Sequence, residues 1–138
     1  MVMNIYVGYD HREKESYDVC KHSISKHCPE ANIIPLNHKD LRKKGLFNRP
    51  WTITPEGTFK DHRDDRPFST EFAFTRFLVP HIQKEGWALF IDSDMVFTTD
   101  IKELFALADD SKAVMLVKHE YSYSSNTETI KMDGCKQE

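Results

Sequence analysis

Trp87-Ala88-Leu89-Phe90-Ile91-Asp92-Ser93-Asp94 is the stretch on which the architecture turns. The apolar run 87–91 follows Glu85-Gly86 and predicts a short strand buried on both faces, as in a parallel sheet. Strands of that kind end at the sheet edge where α/β proteins gather their ligands. Two carboxylates one residue apart at that exit form an oxygen-rich pair suited to a hard divalent cation. Ordinary solvated acids at a strand end are the alternative reading, and the rest of the chain has to decide between them.

Upstream, Asn4-Ile5-Tyr6-Val7-Gly8-Tyr9 reads as a first strand, closed by Gly8 and Asp10. Tyr17, Cys20, Ile24 and Cys28 then recur at steps of three and four, predicting a helix from about His11 to Cys28 that Pro29 stops. Asn32 to Leu36 is a second strand candidate despite Pro35. Strand, helix and strand make a βαβ unit with a right-handed crossover.

Residues 39–67 are polar, carry Pro50, Pro55 and Pro67, and show no sustained period. They read as a long connection of the kind that serves as a lid or binding loop. Within it, Lys60-Asp61-His62-Arg63-Asp64-Asp65-Arg66 reads as a solvated, internally neutralised string rather than a metal site. Ser69-Thr70-Glu71 predicts a helix start, with Phe74, Phe77, Leu78 and Ile82 as its apolar face and Pro80 kinking or ending it. Thr98-Thr99-Asp100 caps a further short helix bearing Ile101, Leu104, Phe105 and Ala108, and Ala113 to Val117 predicts another buried strand. His119 reads as a polar residue at the end of that strand. The whole predicts an α/β fold with a mostly parallel central sheet over 1–119. The polar tail 120–138 is expected either to be disordered or to lead on into a larger domain, of which this is the front part, with the fold then incomplete at its carboxyl end.

The 138 residues suffice for one small domain, with 39% hydrophobic and 30% charged content. A net charge of -3 provides no basic excess for binding nucleic acid. No apolar run approaches the ~20 residues of a membrane span, and the immediate entry into a strand pattern reads as the absence of a signal peptide. Cys20, Cys28 and Cys135 fit neither a disulfide framework nor a zinc site, which points to a reduced, cytoplasmic setting.

If the sheet is wound as a nucleotide-binding fold, three segments converge. The loop after the first strand supplies Tyr9, Asp10 and Arg12, the helix before the Asp-x-Asp strand supplies Arg76, and the strand end supplies Asp92, Ser93 and Asp94. Tyr9 and Asp10 offer a platform for a base. Arg76 offers a guanidinium for phosphate or carboxylate, and the acids offer a cation site beside a diphosphate. Gly8 alone reads as a turn glycine, and no Gly-rich phosphate loop is present.

The blocks Ile5 to Asp10, Ser69 to Pro80 and Leu89 to Asp94 together resemble a GT-A glycosyltransferase, of the branch holding the glycogenin-like and galactosyl-transferring family eight enzymes and small viral and bacterial relatives. The resemblance covers roughly residues 4 to 119 apart from the long connection. It implies a Rossmann-like nucleotide-diphospho-sugar-binding domain. It implies Mn²⁺ or Mg²⁺ on Asp92 and Asp94, donor phosphate or sugar contacts from Arg76, and uracil and ribose contacts from Tyr9, Asp10 and Arg12. The implied reaction is metal-dependent transfer of a sugar from a nucleotide-diphosphate donor, a UDP-sugar favoured, to a carbohydrate or other hydroxyl acceptor, with configuration retained. No catalytic base and no late metal-ligating His can be assigned, so only the donor half is implied. A phosphatase of the haloacid dehalogenase type also begins with a strand and Asp-x-Asp-x-Val, which Asp92 to Val96 satisfies, with Asp92 as nucleophile and Asp94 as general acid. A non-catalytic nucleotide- or metal-binding fragment is the third reading.

Overall fold

The computed structural model of the chain describes residues 2–118. In order these form β1 (Asn4–Gly8), a 3-10 turn (His11–Glu13), α1 (Lys14–His27), β2 (Asn32–Leu36) and α2 (His38–Lys43). There follow β3 (Trp51–Ile53), β4 (Phe59–Asp61), β5 (Pro67–Phe68), a second 3-10 turn (Thr75–Leu78), α3 (Val79–Gln83), β6 (Ala88–Ile91) and α4 (Lys102–Phe105). They divide into two compact units: one holds the chain up to Asn48 together with Thr70–Ala108, the other Arg49–Ser69 with the segment from Asp109.

The first unit is built on a parallel sheet of order β2-β1-β6, with Val7 opposite Pro35 on one side and Ile91 on the other. Alternation along β1 sends Ile5 and Val7, both fully buried, into a core with Tyr17, Cys20 and Ile24 of α1, with Ile101 at the N-cap of α4 and with Phe105 at its last position. Burying an aliphatic side chain of this size contributes roughly 1.5–3 kcal/mol. Tyr6 points to the opposite face, where its hydroxyl donates to Gln83 Oε1 of α3 at 3.0 Å. Helices therefore cover both faces. The chain leaves β1 through α1 to reach β2, and returns past α3 on the other face to reach β6. The boundary between β1 and β6 is thus a topological switch point, and the carboxyl ends of those two strands open onto the same crevice. Pro35 is tolerated because β2 is an outer strand of this sheet.

The second unit carries regular structure where a structureless connection is expected. It holds an antiparallel sheet of order β3-β4-β5; α2, capped by Asn37 Oδ1 accepting from Lys39 N–H, belongs to the first unit. Trp51, Phe59 and Phe68 form its core, with ring centroids 5.0–6.0 Å apart. Gly57, at φ +84°, closes the β3–β4 hairpin. The charged string is internally neutralised but not wholly solvated. Asp61 is fully buried, takes Arg49 Nε and Nη2 at 2.6 and 2.8 Å, and accepts from the backbone N–H groups of Arg63 and Asp64.

Three other expectations are corrected. The predicted helix from Ser69 is a series of turns, then a 3-10 turn, with α3 starting only at Val79, and Pro80 sits in its first turn rather than ending it. Tertiary bonds override the local cap: Glu71 N–H donates to Asp10 Oδ2, Phe72 docks on Gly8, and Phe77 is left 77% exposed instead of facing the core. Ala113 to Val117 forms no strand, and Leu116 is 87% exposed; among the described residues no neighbouring strand pairs with it, and an apolar run without a layer to cover it has no reason to become one. Finally, β6 is half-buried except at Ile91, because within the described residues only β1 flanks it. His119 and the tail 120–138 lie outside the described residues.

Candidate functional site at the β1–β6 crevice

The carboxyl end of β6 delivers Asp92, Ser93 and Asp94 beside the loop that leaves β1. Arg76, from the second 3-10 turn, comes to the same place: its Nη2 lies 3.6 Å from Asp92 Oδ1. Its guanidinium carbon stands 5.3 Å from the ring centres of both Phe72 and Phe90, and its Nε donates to the Phe72 carbonyl. This pose fixes a planar cation by stacking rather than by a tight ion pair, and leaves it a third exposed.

The acids are not saturated. Asp92 Oδ1 is a buried atom with no hydrogen-bond partner, and Ser93 Oγ, in a residue 1% exposed, has none either. Asp94 is exposed. Orphaned buried oxygens are uncommon and call for a ligand, water or ion. An all-oxygen donor pair suits Mg²⁺ or Mn²⁺ rather than a soft metal.

The loop after β1 behaves differently. Asp10 is fully buried and both its oxygens are engaged: Oδ1 by Arg12 N–H and Nε, Oδ2 by Arg12 Nη2 at 2.6 Å and by Glu71 N–H. Burial alone would raise its pKa, but the Arg12 guanidinium and these N–H donors hold it below the usual carboxylate value. Arg12 is correspondingly committed to Asp10. Tyr9 is half-buried, its ring edge-on to Tyr17 at 5.3 Å. The structure thus brings Arg76 to Asp92, with Asp94 two residues on beside Glu15, Ser16 and Val19 of α1, while Asp10 and Arg12 lock the loop to the segment carrying Glu71.

That lock contains residues the sequence reading did not single out as site groups. Glu71 Oε1 lies 2.7 Å from His11 Nδ1 and 3.4 Å from His38 Nε2, and Oε2 accepts from His11 N–H. Burial would raise the Glu71 pKa, yet the donors from His38 and His11 bring it down to about 2. Asp10, His11 and Glu71 are also a group whose ligand atoms lie within 4.8 Å of one another. A cation there would have to displace Arg12 from Asp10, so this group fits a metal less well than Asp92 with Asp94. No local pattern flags Glu71 as a partner of a residue about sixty positions away. Gly8 holds a different role from the expected turn glycine: a Cβ there would lie 2.5–2.7 Å from the Phe72 ring, so the missing side chain is what lets Phe72, and Arg76 upon it, reach the crevice.

The model of glycosyl transferase family 8 matches residues 1–137. The chain belongs to that family. It is also similar to Protein CDI of Arabidopsis thaliana, 45% identical over 135 residues, which cover 96% of this chain and 46% of that protein. The chain therefore spans about half the length of this curated relative. No solved structure matches it. Family 8 membership agrees with the parallel α/β architecture. It leaves the phosphatase reading of Asp92 without support. No helix among the described residues is long and apolar enough to cross a membrane.

Proposed function

We propose that the β1–β6 crevice is the donor site of a metal-dependent glycosyltransferase that takes a nucleotide-diphosphate sugar, a UDP-sugar in the first instance, and passes the sugar to a hydroxyl acceptor. The observation that carries this reading is the meeting of the Arg76 guanidinium with Asp92 at the switch point of the sheet. A diphosphate leaving group needs positive charge on one side and a cation on the other. Arg76 binds and orients the diphosphate, its planar fork held over Phe72 and Phe90 so that little ordering is left to do on binding. Asp92 and Asp94 would hold Mn²⁺ or Mg²⁺, which when bound neutralises charge on the departing diphosphate. Ser93, between them, offers a hydroxyl without a partner. Tyr9, whose half-buried ring packs edge-on against Tyr17, would meet the base, and Asp10 with Arg12 sets the loop that carries it. Buried, unpaired Cys20 and Cys28, whose thiol pKa values burial pushes up to about 11, fit a reducing compartment such as the cytoplasm.

Isothermal calorimetry with UDP, with and without Mn²⁺, tests the reading. Binding is expected to require the metal in the native chain and to lose that requirement, with most of the affinity, in Asp92→Asn. Metal-independent UDP binding of unchanged affinity in Asp92→Asn removes the acids from the site. Binding without turnover toward any acceptor is the result that favours a nucleotide-binding fragment over an enzyme.

A further inference from the structure

Helix α1 reaches the loop after Asp92 through a serine that the donor reading leaves unused. Ser23 is 7% exposed inside α1, beside Cys20 and Ile24 of the core. Its Oγ donates to the Cys20 carbonyl at 2.7 Å and accepts from the backbone N–H of Phe97 at 3.0 Å. We propose that Ser23 is a positioning residue for the cation site, fixing from α1 the loop that carries Asp94; the role toward a cation rests on the donor reading of Asp92 and Asp94.

The needs of the helix do not explain a serine at this position. A helix interior favours Ala over Ser, and a hydroxyl turned back onto its own helix slightly destabilises it. The back-bond has a directional consequence. With its one proton committed to the Cys20 carbonyl, Ser23 Oγ presents lone pairs to Phe97 N–H. Cys20 and Ile24, its neighbours in the core, carry no side-chain oxygen that could take its place.

That bond gives the acidic loop its second end. Ile91 is held at the first by its pairing with Val7. Phe97 is held at the other by Ser23, and its ring packs against the core. Among the described residues this is the one hydrogen bond from residues 93–98 to another element. The next fixed backbone is at Asp100, whose carbonyl accepts from Glu103 N–H as α4 begins. Without the serine hydroxyl, the stretch lacking such a backbone anchor grows from residues 92–96 to residues 92–99. Each residue left loose adds backbone entropy that must be given up when a cation orders the loop.

Asp94 itself lies close to α1. It borders the same cleft as Glu15, Ser16 and Val19. Burial pushes the Cys20 thiol up to about 11, and the Asp94 carboxylate adds to that rise, so the acid is within electrostatic reach of the helix. A hard cation such as Mg²⁺ demands near-ideal ligand geometry, and the groups that orient its ligands govern affinity almost as strongly as the ligands do. Ser23 is such a group: it touches neither cation nor diphosphate, and acts through the backbone three residues beyond Asp94.

The test compares the full native chain with Ser23→Ala, Ser23→Thr and Ile24→Val. Two quantities are read: hydrogen exchange of the Phe97 amide by NMR without metal, and the Mn²⁺ concentration that half-saturates UDP binding in calorimetry. Ser23→Ala should speed that exchange several-fold and raise the Mn²⁺ requirement about tenfold or more, the usual scale for losing a group that orients a metal ligand. Ser23→Thr keeps the hydroxyl and should restore most of both. Ile24→Val trims the neighbouring core, leaves Ser23 Oγ in place, and should keep the native Mn²⁺ requirement. A native requirement in Ser23→Ala overturns the proposal and leaves the donor reading standing, as does an equal rise in Ile24→Val. UDP binding by the native chain that needs no Mn²⁺, or no UDP binding at all, overturns the donor reading and the positioning role with it.

Discussion

Arg76 and Asp92 come from separate elements and meet with Nη2 3.6 Å from Oδ1, the guanidinium lying over both Phe72 and Phe90. Both side chains are a third or more exposed, so as an ion pair they contribute no more than ~1 kcal/mol to stability. The arrangement is better understood as a cation held ready for an anion. Arg76→Lys keeps the charge and removes the planar, stacked fork. It should shift the denaturant midpoint by an amount equivalent to less than about 1 kcal/mol, and lower Mn²⁺-dependent UDP affinity about tenfold or more by calorimetry. A lysine variant that binds UDP as tightly as the native chain takes Arg76 out of the donor site.

Gly8 controls that arrangement from beneath. A methyl group there meets the Phe72 ring at 2.5–2.7 Å, closer than packing allows, and Phe72 is itself 3% exposed with little room to retreat. Gly8→Ala should therefore cost about 1–3 kcal/mol, in the range of overpacked cores. Because the same ring supports Arg76, UDP affinity should fall as well. Combining it with Phe72→Leu, which frees space, should restore part of the stability and none of the affinity. Full stability in Gly8→Ala alone would show that the close approach is not a constraint.

Much of this was legible in the sequence, and the gaps have a common cause. The Asn4–Gly8 and Asn32–Leu36 strands, the α1 stripe of Tyr17, Cys20 and Ile24, and the Asp-x-Asp at the end of β6 follow from periodicities that span only a few residues. What escaped depends on partners far apart in the chain. Glu71 reads as a first-turn helix acid, yet its geometry is set by Asp10, His11 and His38. Phe72 lies outside the apolar face that a helical period draws through Phe74 and Phe77, because that period presumes a helix which the Asp10 bond prevents. The β3-β4-β5 sheet was hidden because its strands are two or three residues long, below any readable alternation.

The Glu71 network also sets a pH dependence. Its carboxyl is held at about 2 in the fold against an ordinary value of 4.5, burial being more than offset by the His38 and His11 donors. A depressed carboxylate contributes stability that is complete above the ordinary value and is lost as the pH falls through the folded one. The shift corresponds to at most ~3 kcal/mol, reduced by solvent screening at the half-exposed His11. Asp10 is shifted in the same direction. Unfolding by urea should therefore become easier between pH 4.5 and about 2, and Glu71→Gln should flatten that slope while lowering stability at neutral pH. An equal slope in native and variant chains would assign the acid sensitivity elsewhere.

In the smaller unit the corresponding buried charge is Asp61, which takes both Arg49 donors and two backbone N–H groups. Burial opposes its ionisation, but these donors overcome that and hold its pKa well below the carboxylate range. Asp61→Asn keeps the shape and replaces one accepting oxygen with an amide NH2 group, which then faces a donor. A donor set against a donor in a buried site costs about 1–3 kcal/mol, and more when one of them is charged. Hydrogen exchange followed by mass spectrometry should show lost protection across residues 59–66, with β1 and α1 unchanged, because the two units have separate cores. Arg49→Lys, which keeps the charge but supplies a single point of contact, should give a smaller loss in the same segment. Uniform loss across β1 and α1 would instead mean that Asp61 supports the whole chain rather than the β3-β4-β5 sheet alone.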